Sequence, residues 1–504
     1  MVMRFGRRPL LRSRQGSVLV ASLVALIVLL ILGGALLRAA SGSLRAASRD
    51  RDRVIALNLA ESGAELGLRW LRDQAYPPSG TEPIRPSELQ SVGLESGTIA
   101  VEIRPFPDNQ GRTLKAYHVV GKGTTPTGYI REVVYQAQQE SFAGYAYFTR
   151  EERSPVASGP IWFIWADHLD GRVHSNDQLR IWWRTSEPPD PMFLGRVTTA
   201  SGDPIYSPSI SNPQDYYQIF KDGQSGIAVG VDYIPMPQTT NMQRDAAWGA
   251  SSGFPTTAGA YLRANQNGGL YISGAVQSMV FSSTATRTQA IITQQPTSTT
   301  RIVSTYVEDY TLGQSSLESV TYKKSGNTWV EQTRTTSTQL ALPNGVIYCD
   351  DAIGGLQGVI GGKHTIATAP GRDITITGNL TLADSPATNP SSTDVLGLVA
   401  QNIVLSKASG DLTVEAIMMA GGETSNGSIY NQYWHTTPRQ QGTFHLLGGL
   451  LQSQRGPVGQ FSSSSGTVIS GYTKDYHYDE RLLDIPPPYF PTTGKFIRVG
   501  WQRL

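Results

Sequence analysis

The stretch SVLVASLVALIVLLILGGALL (17–37), continued by RAASGSLRAASRDRDRVIALNLAESGAELGLRWLRDQA (38–75), decides how this chain of 504 residues is organised. Residues 17–37 carry neither charge nor proline over 21 positions. A helix needs about 20 apolar residues to cross a bilayer core. Val18, Leu19, Leu23, Leu26, Leu30 and Leu37 are the expected membrane anchor. Arg38 closes the run, and a leader (1–16) with Arg4, Arg7, Arg8, Arg12, Arg14 and no acid precedes it. The positive-inside rule keeps such a leader cytoplasmic and sends the rest of the chain out. A secretory signal has a shorter apolar region, about 7–15 residues, with its small-residue cleavage site after it. Here the candidate processing point, Gly16, comes before the run.

Beyond Arg38 the composition turns to Ala, Leu, Arg and Glu, which are good helix formers. Val54, Leu57, Ala60, Ala64, Leu68 and Leu71 recur at steps of three and four, one apolar stripe of an amphipathic helix. Pro77-Pro78 ends it. The pattern predicts one helix over 17–75, about 90 Å long. Gly33-Gly34 and Gly42 are soft points in it. One half lies in a membrane, and the other packs on a soluble domain.

The rest reads as β-structure. Residues 76–140 hold TIAVEIRPF, LKAYHVVGKG and YIREVVYQAQ, an antiparallel meander with Glu102, Lys115 and Arg131 on its solvent face. His118 has a structural reading. Residues 141–485 form a large β domain. Within 345–470, short apolar runs such as DITITGNLTL, VLGLVAQNIVL and LTVEAIMMAG recur between Gly, Asn and Asp, with no helical period between them. An irregular β-solenoid is expected, and a two-sheet sandwich is the alternative. Residues 223–344 hold hairpins, RTQAIITQQ against RIVSTYVEDYTL and SVTYKKSGNTWVEQTRT around Ser-Gly-Asn. The tail, 486–504, ends in a strand that can return to the first sheet. The fold class is α+β, with a long helix on an antiparallel sheet followed by a mainly-β domain.

The leader ending Arg14-Gln15-Gly16, the apolar run from Ser17 and the stretch NLAESGAE (58–65) together resemble the type IV pilin family, in particular PilX-type minor pilins. The resemblance covers about 10–75. It implies cleavage after Gly16 by a prepilin peptidase and methylation of Ser17. It also implies storage in the inner membrane, then assembly with other pilins into a filament at the cell surface. Major pilins carry a glutamate five residues after the cut, where this chain has Ala21. PilX-like pilins and the tip pseudopilin of type II secretion share that departure, which points to a tip or priming position. The segment 142–183 resembles large bacterial surface proteins that follow such a helix. The β domain is similar to those of competence-associated tip pilins. The implied role is adhesion or ligand capture, of a surface glycan or of DNA. A plain anchored surface protein and a β-helix polysaccharide enzyme are the alternatives.

Charge weighs among these. Residues 141–504 hold 24 Lys and Arg against 28 Asp and Glu. DNA binding draws on a basic surface, so a general head ranks above a DNA receptor. The candidate patch for a ligand or a single strand is Arg172, Arg180, Trp182, Trp183 and Arg184, where aromatics can stack bases; Arg196 lies nearby in sequence. Asp167, His168, Asp170, His174, Asn176 and Asp177 are the densest polar cluster, and all but Asn176 are weak metal candidates, although Asp170-Gly171 reads more simply as a turn. Asp350-Asp351 point to opposite faces if they lie in a strand, a poor pair for glycoside chemistry. No catalytic constellation and no cofactor motif is recognised. The single cysteine, Cys349, has no partner in the chain for a disulfide.

Overall fold

A helix-forming sequence that is apolar all round in its first half and Ala/Gly-striped in its second folds as one uninterrupted helix, α1 (Gln15–Arg72, 58 residues). The computed structural model describes residues 15–74, 78, 80–107, 109, 114–157, 160–263, 268–436, 440–462 and 467–503. The leader arginines, Ala75 and Pro77 lie outside the described residues. Gly16 and Ser17 fall in the first turn of α1. The chain divides into two units, one of residues 1–110, 115–138 and 496–504, the other of 111–114 and 139–495.

In the first unit, α1 is the one helix among the described residues long and apolar enough to cross a membrane. Its most apolar 18-residue window has a mean hydropathy of 2.9, and none of that window is buried within the chain. The second half packs on a sheet of order β1 (Val92–Leu94), β2 (Gly97–Pro105), β3 (Ala116–Thr124), β4 (Ile130–Ser141), then the C-terminal strand Thr492–Arg503. The pairs β1–β2, β2–β3 and β3–β4 are antiparallel. β2 alternates, sending Ile99, Val101 and Ile103 inward.

The buried stripe of α1 differs from the sequence expectation at its start. Val54 is 58% exposed and Leu57 only half-buried. The helix instead buries Ala56, Leu59, Ala60, Gly63, Ala64, Gly67, Leu68 and Leu71. The cause is proximity. A Cβ on Gly121 would collide with the backbone at Ala60 and Ala64, and one on Gly123 with the backbone at Ala56 and Ala60. Gly63 and Gly67 likewise face Ile99, Val101 and Val119. Backbone meets backbone here, so small residues, not large apolar ones, mark the contact face. The helix stops at Arg72, whose Nη2 donates to the Phe496 carbonyl at 3.0 Å.

Of the predicted solvent-face residues, Glu102 lies between Arg104 (2.5 Å) and Arg85 (2.8 Å). Lys115 precedes β3 and is half-buried, its Nζ donating to the Asn109 carbonyl at 2.7 Å. His118 rests on the Phe106 ring, with centroids 4.5 Å apart.

The second unit is built on parallel ladders that skip alternate strands. Val346–Cys349 pairs in parallel with Lys363–Thr368, that with Val395–Ala400, that with Leu412–Ala420, and that with Gln440–Gln454. Gln440–Gln454 then pairs in parallel with Tyr147–Glu151, which continues to Val173–Ser175, Val197–Thr199 and Ile227–Val229. The register stacks one buried column: Ile347, Ile366, Leu398, Met418, Leu450, Tyr147, Val173 and Val197. A second ladder stacks Ile353, Ile374, Ile403 and Ile429. The chain thus enters the stack at Tyr147, in its middle. It runs one way to Ile227, and it later returns from the far end to pair with its own entry strand. The antiparallel pairs Arg287–Thr297 with Thr300–Asp309 and Gln314–Ser325 with Thr328–Gln339 flank these ladders.

Candidate ligand-binding cavity

Side chains alternate along an extended strand. On Val468–His477 this sends Lys474 and Tyr476 into one cavity and Asp475 and His477 into another. The first cavity, about 310 Å³, is walled by Trp162, Trp182, Trp434, Phe461 and Tyr476 over a floor that includes Tyr147, Gln452 and Arg455. That volume lies at the small end of the roughly 300–1,000 Å³ usual for ligand pockets.

Its charges cancel in place. Arg455 Nη1 lies 3.1 Å from Glu152 Oε2, with both side chains almost wholly buried. Arg455 also donates to the carbonyls of Ile161 and Trp162 and lies 3.7 Å over the Phe163 ring. Glu152 accepts from Tyr147 Oη at 3.2 Å and from Thr149. Lys474 Nζ lies 2.8 Å from Asp167 Oδ1, and Asp167 Oδ2 accepts from the Ile164 amide at 3.0 Å. Burial holds the Lys474 ammonium below its ordinary value, against the pull of Asp167. Both cations are committed to carboxylates.

Unused donors remain. Gln452 is 2% exposed, and its Oε1 is held by the amides of Ile429 and Gly456, both at 3.0 Å. This leaves its amide nitrogen as the free end, without an acceptor among the described residues. The indole N–H groups of Trp162, Trp182 and Trp434 likewise meet no acceptor among the described residues. Trp183, by contrast, donates to the Pro208 carbonyl at 2.7 Å.

The predicted patch separates accordingly. Trp182 closes the strand Arg180–Trp182, faces the cavity and meets Trp165 edge-on at 5.0 Å. Arg184 lies 5.1 Å over Trp165. Trp183, next in sequence, turns the other way and is 5% exposed, a core residue rather than a contact surface. Arg172 is taken up by Glu140 at 3.2 Å and by the Tyr145 ring at 4.5 Å. Arg180 is half-buried.

The polar cluster 167–177 is dispersed. Asp167 serves Lys474, and Asp170 accepts from the Tyr478 amide at 2.6 Å. His174 is buried between Thr198 Oγ1 (2.8 Å) and Asn176 Oδ1 (3.0 Å), and Asn176 also bonds the Ile234 backbone. Asp177 accepts from the amides of Glu152 and Gln178. His168 lies near Pro191 and Asp190. Among the described residues no group of three or more His, Cys, Asp or Glu is arranged to hold a metal. Asp350 accepts from Ser273 and the Gly274 amide, while Asp351 pairs with Arg372. Cys349 is buried, and burial pushes its thiol up to about 12.

The second cavity, about 620 Å³, holds the chain His445–Asp475–His477, with contacts of 2.6 and 3.0 Å, and His477 reaches Asp170 at 3.4 Å. Sequence reading missed these residues and also Trp434, Gln452, Arg455 and Lys474. Arg455 and Lys474 meet their carboxylates, Glu152 and Asp167, across some 300 positions of chain. The one available signal was the period-two alternation through Lys474–His477.

No family model matches the chain, and no curated protein matches it. Among solved structures, the crystal structure of competence-associated pilin ComZ from Thermus thermophilus matches over 90% of this chain and 97% of that chain. The identity is 13% and the TM-score 0.27. The cavity is therefore read from its own residues.

Proposed function

We propose that the chain is a minor pilin-like protein that displays an irregular β-solenoid for adhesion or ligand capture. The observation that carries this is the division of α1. Its first half is apolar on every side and bare, and its second half is docked at backbone distance on a sheet. A bare apolar helix has two environments that spare it water, a bilayer and a bundle of like helices. The first holds the subunit before assembly, and the second holds it in a filament. Docking of the second half keeps the helix joined to its own sheet through the transfer. Ala21 stands where a bulk subunit would carry a glutamate to pair with a neighbour, which suits a tip or priming position. The test is to shear surface filaments from the source cells. The protein is expected in the sheared fraction. Its confinement to the membrane, in cells that do shed filaments, would overturn the proposal.

A further inference from the structure

The cavity walled by Trp162, Trp182, Trp434, Phe461 and Tyr476 combines three properties. It offers large aromatic faces, which favour ligands with flat apolar C–H surfaces. It offers donors without acceptors among the described residues: the amide nitrogen of Gln452, a residue 2% exposed, and three indole N–H groups. Its two cations are neutralised by Glu152 and Asp167, so nothing in it calls for an anion. An aliphatic ligand would leave the donors unmet, which costs binding energy. A phosphate backbone would find both cations occupied. A ligand with C–H faces, many acceptor oxygens and no charge meets all three properties.

We propose that this cavity binds an uncharged saccharide, with pyranose faces stacked on Trp182 and Trp434 and ring or hydroxyl oxygens accepting from Gln452 and the indoles. The proposal names what the β unit captures and rests on that part of the reading above. It does not depend on filament assembly, so failure of the filament test would leave this measurement standing.

The test uses the full chain in lipid nanodiscs, which avoids sugar-headed detergents. Calorimetric titrations with cellohexaose, chitohexaose, a hyaluronan hexasaccharide and a twenty-residue oligothymidylate compare neutral sugar, acidic sugar and nucleic acid. One of the two neutral oligosaccharides is expected to bind. Its affinity should stay within about twofold between low and high salt, because no counterions are released. Trp182→Ala and Trp434→Ala should each weaken binding by about tenfold or more, as truncation of a buried aromatic anchor does. Trp329→Ala, on a distant hairpin, should leave it unchanged. Trp434→Tyr should restore most of it, which separates loss of stacking from loss of fold. Independently of any variant, the bound sugar should raise the melting temperature of the unaltered protein. Binding of neither neutral oligosaccharide, binding confined to hyaluronan or the oligonucleotide, or binding indifferent to both tryptophan changes would overturn the proposal.

Discussion

Arg455 and Glu152 show what single residues do in this chain. Both are almost wholly buried, and each answers the other's charge. Removing one partner strands a buried ion, which typically costs about 3–5 kcal/mol, whereas replacing both by apolar residues can be nearly neutral. Glu152→Ala should therefore lower the denaturation midpoint strongly, and Glu152→Leu combined with Arg455→Met should recover most of it. A double variant as unstable as the single one would contradict this. His174 gives a pH prediction. Burial holds its pKa below the ordinary 6.5, so the folded state keeps it neutral while the unfolded chain takes up a proton first. Its contribution is whole above pH 6.5 and is lost as the pH falls through the lowered value. Melting temperatures should decline on acidification from about pH 7 to 5. His174→Gln should flatten that decline, leaving a residue from His118, which burial also lowers. At this scale the sequence was legible in type but not in direction. Trp182 and Trp183 look alike in a string of letters. The strand turns one into the cavity and the other into the core.

At the scale of elements, α1 was legible as a helix because its apolar run and its stripe are long. The position of its contact face was not. A search for large apolar residues favours Val54 and Leu57, while the sheet accepts Ala56, Ala60, Gly63 and Gly67 because Gly121 and Gly123 admit the helix backbone. Side chains there should force the elements apart, at a cost of about 1–3 kcal/mol or more. Gly121→Val should release amide protection over residues 56–71 in hydrogen exchange. Gly42→Ala, at a position with open space around its Cβ, should leave that protection intact. Unchanged protection in Gly121→Val would contradict the backbone-distance docking. The apolar runs of 345–470 were legible as strands, since each is short, β-prone and bounded by Gly, Asn or Asp. Their partners were not, because parallel pairing that skips a strand leaves no local mark.

For the whole molecule, the pairing of Leu450 with Tyr147 explains why chain order and spatial order part company. The second unit enters its stack in the middle and later comes back to pair with that entry strand, and Phe496 then returns the chain to the core of the first unit. Charge follows the same division. The leader is strongly basic, and the residues beyond 140 are mildly acidic, with a net of −4. Under the proposed function, the leader's charge would orient the chain in the membrane and leave before assembly. The β unit then carries no basic surplus, and the cavity beside Trp182 and Trp434 is electrically balanced. The most direct test is the mass of the N-terminal peptide of the mature protein purified from its own cells. A peptide beginning at an N-methylated Ser17 is the result this account requires. A peptide that retains Gly16 and the arginine leader, or one that begins beyond the apolar run, would contradict it.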